Sequence, residues 1–504
     1  MIKLIYRIES DYMSKKRMLI VTSVTLSVVT ISLGIVKLYQ TYALSNYIGT
    51  VTDTGIDVYI NDDSYASIPA NGSSNVYYML TNTNPGTVKY GVAYQTTSGV
   101  TVKVYDTSED PATGTIEEND KKYIKLHLEN KNSTNKTIEL STVLGYENGG
   151  DLVVPSGVTL VTDTYTPPPT AAEYITKLYT TASKTTVTNN SITYNTAPSV
   201  SLMNDRLGGT TTDLDGGNIR YYGASPNNYI YFNCSDYSNQ TSSTCETWRI
   251  IGVFDGKLKL IRGSQIGTYS WDNKNTNTGA ENNYGKNDWT TARLMKLLNP
   301  SDYYTVDSND NNLGQSLYYN STSGKCYSGQ NNATKDCDFT STGIKDTTRN
   351  MIAETTYYLG GWNNVSVYPN QIYEYERGTT VYTGRPTTPW TGKIALAYPS
   401  DYGYAADLNQ CKDKTLYDYD NRTCTSNNWM KAIITNNGSN TGWLLTPYSG
   451  ASNRAWHVAS DGAVRNYYLA YDAYGAVPVL SLSSELGIES GGDGSSSKPY
   501  KLSA

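Results

Sequence analysis

Apolar and polar positions fall into three regimes along the chain. From Met18 to Val36 the run MLIVTSVTLSVVTISLGIV holds 19 residues without a charge, close to the ~20 that span a bilayer as a helix. From about 46 to 163 the runs VTDTGIDVYI, NVYYMLTN, KYGVAYQT, VTVKVYDT, KYIKLHLEN, KTIELSTVLGY and GVTLVT are short and rich in β-branched and aromatic residues. Asn, Gly, Pro and Asp separate them, which predicts strands of an all-β, immunoglobulin-like antiparallel sandwich. Beyond 170 the pattern is mixed. AAEYITKLYTTA (171–182), NDWTTARLMKLLNP (287–300), IKDTTRNMIAETTYYLGG (344–361) and NNWMKAIIT (427–435) predict helices, with Asn287 or Asp288 and then Asp346 as caps. TWRIIGVFDGKLKLIRG (247–263) predicts a hairpin turning at Asp255-Gly256. WLLTPYS, AWHVA, AVRNYY and AVPVLSL predict strands, with a turn at Asp461-Gly462.

These regimes set the expected organisation. Lys15, Lys16 and Arg17 precede the apolar run, so 1–17 reads as a cytoplasmic segment and 18–36 as an anchor, with the rest outside the cell. A cleaved signal peptide is the alternative, with Thr41-Tyr42-Ala43 as its cleavage site. A β-sandwich over 46–163 and a Pro-rich linker over 164–170, centred on TPPPT, precede an α+β domain over 171–504. All eight Trp and all six Cys lie beyond the linker.

Composition sharpens this. There are 47 Tyr against 3 Phe; Tyr carries an apolar body and a wet tip and suits surfaces and interfaces. The whole chain is −6 and residues 1–37 carry +4, which leaves −10 for the rest. An acidic body argues against nucleic acid as a partner. The cysteines form three local couples, Cys234 with Cys245, Cys326 with Cys337 and Cys411 with Cys424. An even count at such spacing outside the cell reads as three disulfides, and the close CxxC pairs of a zinc site are missing.

Candidate chemistry is sparse. His127 and His457 are the two histidines, both on expected strands and both read as structural. There is no GxSxG elbow to supply a nucleophilic serine. Glu354, Glu374 and Glu376 are the candidates, by elimination, for a carboxylate pair hydrolysing polysaccharide. Asp307, Asn309 and Asn311 alternate as calcium ligands do, yet Asn312 and Tyr318 stand where an EF-hand requires Gly and Glu. DLDGG (213–217) reads as a turn. No metal or cofactor is expected.

The order WRIIGVFDGKLKLI, YSWDN, DWTTARLMKLLNP, WLLTPYSG, AWHVASDGAV, GAVPVLSL resembles an uncharacterised bacterial extracellular domain family. That family runs from a WR hairpin through a Trp-led helix to a G-V-R-P-V-L-like tail. The tail is similar to C-type-lectin-like domains of the formylglycine-generating-enzyme type. The resemblance covers about 215–485 and implies a C-type-lectin-like fold and a bacterial cell-surface protein. Gly475-Ala476-Val477-Pro478 lacks the family's arginine, and every cysteine has a structural partner in prospect, against a catalytic cysteine pair.

One stretch then stands out, RNYYLAYDAYGAVPVL (465–480). Tyr, Ser, Asn and Gly dominate the loops as they do antibody paratopes. Arg465, Asn466, Tyr467, Tyr468, Tyr471, Asp472 and Tyr474 form the expected binding surface. The expected function is a non-enzymatic, single-pass adhesin of the bacterial cell membrane that binds a glycan or a surface protein. The alternatives are a self-associating surface-layer or fibre subunit and a secreted polysaccharide hydrolase.

Overall fold

The computed structural model describes residues 47–52, 55–59, 65–82, 86–145, 152, 154–207, 213–273, 285–306, 313–381, 389–435 and 440–503, the first two stretches as backbone only. The chain divides into two compact units, Met1–Pro167 and Pro168–Ala504. Among the described residues no helix is long and apolar enough to cross a membrane. The expected anchor at 18–36, with its basic segment and cleavage site, lies outside the described residues. The expectation of a single-pass bacterial membrane protein is corrected accordingly. A helical span needs ~20 residues in one unbroken apolar helix, and Ala171–Thr181, the longest helix described, has 11.

The first unit is two sheets face to face. One runs in the order Thr164–Tyr165, Val100–Tyr105, Lys121–Asn130, Gly72–Asn82, Tyr47–Thr52, Gly55–Tyr59. The other runs Val158–Leu160, Val88–Gln95, Lys136–Gly145, Tyr65–Ile68, with Thr113–Ile116 also on Val88–Gln95. Period-two burial explains the pairing. Val76, Tyr78 and Leu80 point inward from one sheet and meet Val92, Ile138 and Leu140 from the other. The Tyr78 hydroxyl joins Thr142 Oγ1 across the core at 2.5 Å. Two pairings are parallel, Tyr47–Gly49 on Leu80–Asn82 and Thr164-Tyr165 on Val104-Tyr105, so the all-antiparallel immunoglobulin-like arrangement is corrected. VTDTGIDVYI is also two paired strands, with Thr52 opposite Gly55, rather than one.

The second unit is mostly β-sheet with few, short helices, which corrects the expected α+β, lectin-like head. Its main sheet takes Thr185–Asn189, Ile192–Ala197, Leu202–Asn204, Ile219–Tyr221, Glu246–Phe254, Lys257–Arg262, Val479–Ser481 and Ile394–Ala395 in that order, with Tyr229–Phe232 also on Glu246–Phe254. Glu246–Phe254 turns into Lys257–Arg262 at Asp255 (φ 49°) and Gly256 (φ 69°). Two consecutive positive φ values are what a tight hairpin turn needs. A second sheet orders Thr268–Ser270, Ala473–Gly475, Gly442–Pro447, Ala455–Val458 and Val464-Arg465. Trp248, Trp271, Trp289 and Trp443 are fully buried in one core. Cys234–Cys245, Cys326–Cys337 and Cys411–Cys424 are disulfides.

The helices differ most from the reading of the pattern. Ala171–Thr181 forms with a capping box from Thr170 and Glu173. The helix expected over 287–300 is only Arg293–Leu298. Asn287 does not cap it; its buried amide donates to the carbonyls of Tyr448, Ala451 and Arg454. The helix expected over 344–361 is only Asp346–Arg349, because Ala353 donates to Ser481 O and Thr355–Tyr357 pairs with Trp390–Gly392. Pro369–Glu376 and Pro399–Tyr404 form instead, each with proline in its first turn.

Candidate functional site

The second sheet carries the tyrosine-rich stretch. Val464-Arg465 is its edge strand and Ala473–Gly475 an inner one, and 466–472 loops between them. Ala455–Val458 contributes His457, and Gly442–Pro447 contributes Trp443, whose indole donates to Tyr269 O at 2.9 Å. Tyr468 stacks on the His457 ring with centroids 4.2 Å apart and on Tyr474 at 4.6 Å. Tyr474 meets Trp443 edge-on at 5.2 Å. Tyr467 closes the stack edge-on to Tyr468 at 4.7 Å and to His457 at 5.3 Å. The result is graded: Trp443 and His457 are buried, Tyr468 and Tyr474 half-buried, and Tyr467 is 45% exposed.

Of the expected surface, the structure thus gathers Tyr467, Tyr468 and Tyr474. The remaining members hold the loop. Arg465 pairs with Asp461 through Nη1 at 3.1 Å and Nη2 at 2.5 Å. Asn466 donates to Asn363 O at 3.4 Å. Asp472 accepts the Leu469 amide at 3.1 Å, and the Tyr471 carbonyl accepts from Ser270 Oγ at 2.6 Å. The sequence reading missed Trp443 and His457 as the base of this surface. The signal for His457 was its place in AWHVA beside the Asp461-Gly462 turn, which puts it in register with Arg465.

Burial governs the ionisation here. His457 is held down to about 3, because burial disfavours imidazolium; its Nδ1 lies 3.4 Å from Ala455 O and its Nε2 has no hydrogen-bond partner. Tyr467 and Tyr474 are both pushed up, first by burial and then by the neighbouring Tyr468 for Tyr467 and by the Asp472 carboxylate for Tyr474. At neutral pH Tyr467 and Tyr474 are therefore neutral phenols, with a neutral imidazole behind them.

The carboxylate candidates sit elsewhere. Glu354 is exposed and accepts from the Tyr303 hydroxyl at 2.9 Å, and Glu374 is exposed on Pro369–Glu376. Glu376 is fully buried and accepts from Ser400 N at 2.9 Å and Ser400 Oγ at 2.6 Å. Burial raises it to about 7, against the pull of Arg377 and Ser400. Beside it a buried ion chain runs from Asp205 through Arg220 to Asp401 and Lys259, with contacts of 2.5, 2.9 and 2.5 Å. Asp401 is held below the usual carboxylate range: burial pushes its carboxyl up, and the Lys259 and Arg220 charges outweigh that. Asp215 of DLDGG accepts from the Tyr179 hydroxyl and from Asn195. The Asp307–Asn312 run lies outside the described residues. Among the described residues no group of three or more His, Cys, Asp or Glu is placed to hold a metal.

No protein-family model, curated protein or solved structure matches the chain.

Proposed function

We propose that the second unit is a disulfide-pinned binding module that works outside the reducing cytosol and holds a glycan or a protein against Tyr467. The observation that carries this reading is the graded aromatic stack, which leaves one large ring 45% exposed on a base of rings already ordered by burial. Such a ring offers apolar area at small entropic cost, and its hydroxyl supplies direction. Three disulfides, stable in oxidising surroundings, support the compartment. The module is not an enzyme on this reading. A glycosidase needs two carboxyls facing one substrate, whereas Glu376 is sealed and bonded to Ser400 and the exposed Glu354 is bonded to Tyr303.

A glycan and protein binding screen on the oxidised chain tests the proposal, with Tyr467→Ala beside the wild type. Tyr467 is 45% exposed and packs edge-on against two rings, so the variant folds with a stability loss of about 1 kcal/mol, and the expected loss of affinity is about 10-fold or more. Unchanged affinity in the folded variant overturns the tyrosine site. Concentration-dependent self-association in place of ligand binding replaces the reading with that of a structural subunit.

A further inference from the structure

A second site lies on the main sheet. Arg249 belongs to Glu246–Phe254 and stands opposite Tyr229 on the neighbouring strand. Arg249 is only 6% exposed, and its guanidinium lies 3.7 Å from the Tyr229 ring centre and 4.9 Å from that of Trp429. Nε donates to Asn228 Oδ1 at 2.5 Å and Nη2 to Pro226 O at 3.3 Å. Among the described residues no carboxylate pairs with it, and Nη1 makes no hydrogen bond. Burial pulls this guanidinium down to about 10, with little returned by its neighbours. A buried cation without a counter-charge is costly, and a fold that keeps one has a partner for it.

Space for that partner is present. Arg249, Tyr229, Thr247, Gly263, Ser264 and Ile433 line a cavity of about 430 Å³, within the ~300–1,000 Å³ range of small-molecule sites. Glu246 and Arg262 also face it, but they neutralise each other. Arg262 Nε and Nη2 each donate to Glu246 at 3.0 Å, and Trp248 Nε1 adds a third bond at 2.9 Å. The charge left over in the cavity is that of Arg249. Gly263 keeps the wall thin, since a Cβ there would stand 2.5 Å from Thr247 O. Ile433 supplies one apolar side, from the same helix as Trp429, and the rest of the lining is polar.

We propose that this cavity is a carboxylate subsite that takes an acidic sugar residue. The planar guanidinium, with its Nη1 edge unbonded, matches a planar carboxylate in its own plane better than a tetrahedral anion. The hydroxyls of Thr247 and Ser264 and the Glu246–Arg262 pair suit a hydroxylated ring rather than an apolar peptide side chain. The proposal does not depend on the tyrosine face.

Isothermal titration of the full, oxidised chain with sodium D-glucuronate tests it. D-glucose, sodium phosphate, sodium sulfate and an acetylated dipeptide with a free C-terminus run as comparisons. The expected result is binding of glucuronate over all four. Arg249→Met is expected to weaken it by about 10- to 100-fold, the loss of charge-assisted hydrogen bonds. Because Arg249 also holds Asn228 and Pro226, a second variant, Thr247→Trp, fills the mouth from an exposed position; it is expected to abolish binding while the fold stays intact. No glucuronate binding, tighter binding of phosphate, sulfate or the dipeptide, or wild-type binding by folded Thr247→Trp each overturns the proposal.

Discussion

His457 shows how one residue's setting decides its chemistry. Two strands and three tyrosine rings enclose it, and the ring is neutral because imidazolium has no water there. Its folded value, about 3, lies below the unfolded one near 6.5. The stability it contributes is therefore complete above about pH 6.5 and is lost as pH falls toward 3, by up to ~1.4 kcal/mol per pH unit. Denaturant titrations from pH 7 to 4 should show stability rising more steeply with pH for the wild type than for His457→Phe, the difference between the two slopes reaching that value. A wild-type slope equal to the variant's would place the titration elsewhere. That the histidine is structural could be read from AWHVA. That Tyr467 is the exposed ring could not, because period-two alternation ranks faces of a strand and says nothing about a loop. Arg249 was equally hidden: WRIIGVF predicts a strand, and only the neighbouring strand and a distant helix show that its charge is unpaired.

Among the elements, Pro399–Tyr404 is tied to the sheet by charge rather than by apolar area alone, and Pro369–Glu376 joins it through the bonds of Glu376 to Ser400. Asp401, in the first turn of its helix, caps Tyr398 N at 3.0 Å and also holds Arg220 and Lys259 from two strands. Replacing Arg220 by Met leaves Asp205 and Asp401 buried with less compensation. The expected cost is about 3–5 kcal/mol in urea unfolding, part of it recovered by adding Asp205→Asn. Glu376 acts in the opposite sense to His457. Its folded value, about 7, lies above the ordinary 4.5, so the stability it contributes is complete below pH 4.5 and is lost as pH rises toward 7. Glu376→Gln should remove that contribution, so that stability from pH 5 to 7 rises more steeply, or falls less, than in the wild type; an unchanged profile would mean Glu376 is ionised throughout. The hairpin at Asp255-Gly256 and the helix after Thr170 were legible because their signals are local. The shortened helices were not: an apolar face on 344–361 fits a helix or a bridge to the sheet equally well, and pairing with Trp390–Gly392 decides between them.

At the scale of the molecule, the two units differ in what holds them. Every disulfide closes a loop of the second, with sequence separations of 11, 11 and 13. Each loop of that length contributes ~2–3 kcal/mol on the chain-entropy account. Reductant should therefore lower the melting transition of the second unit in calorimetry and leave that of the first where it was; a joint shift would mean the two unfold as one. The Pro-rich boundary near TPPPT, the cysteine couples, the strand-rich first unit and the unusual weight of tyrosine follow from the sequence by itself, since each rests on composition or on contacts within a dozen residues. Sheet order, the parallel pairings, the sealing of Glu376, the stack under Tyr467 and the unpaired charge of Arg249 were decided only by tertiary structure. They depend on which distant strands become neighbours, and burial and charge compensation are properties of those neighbours rather than of the residue.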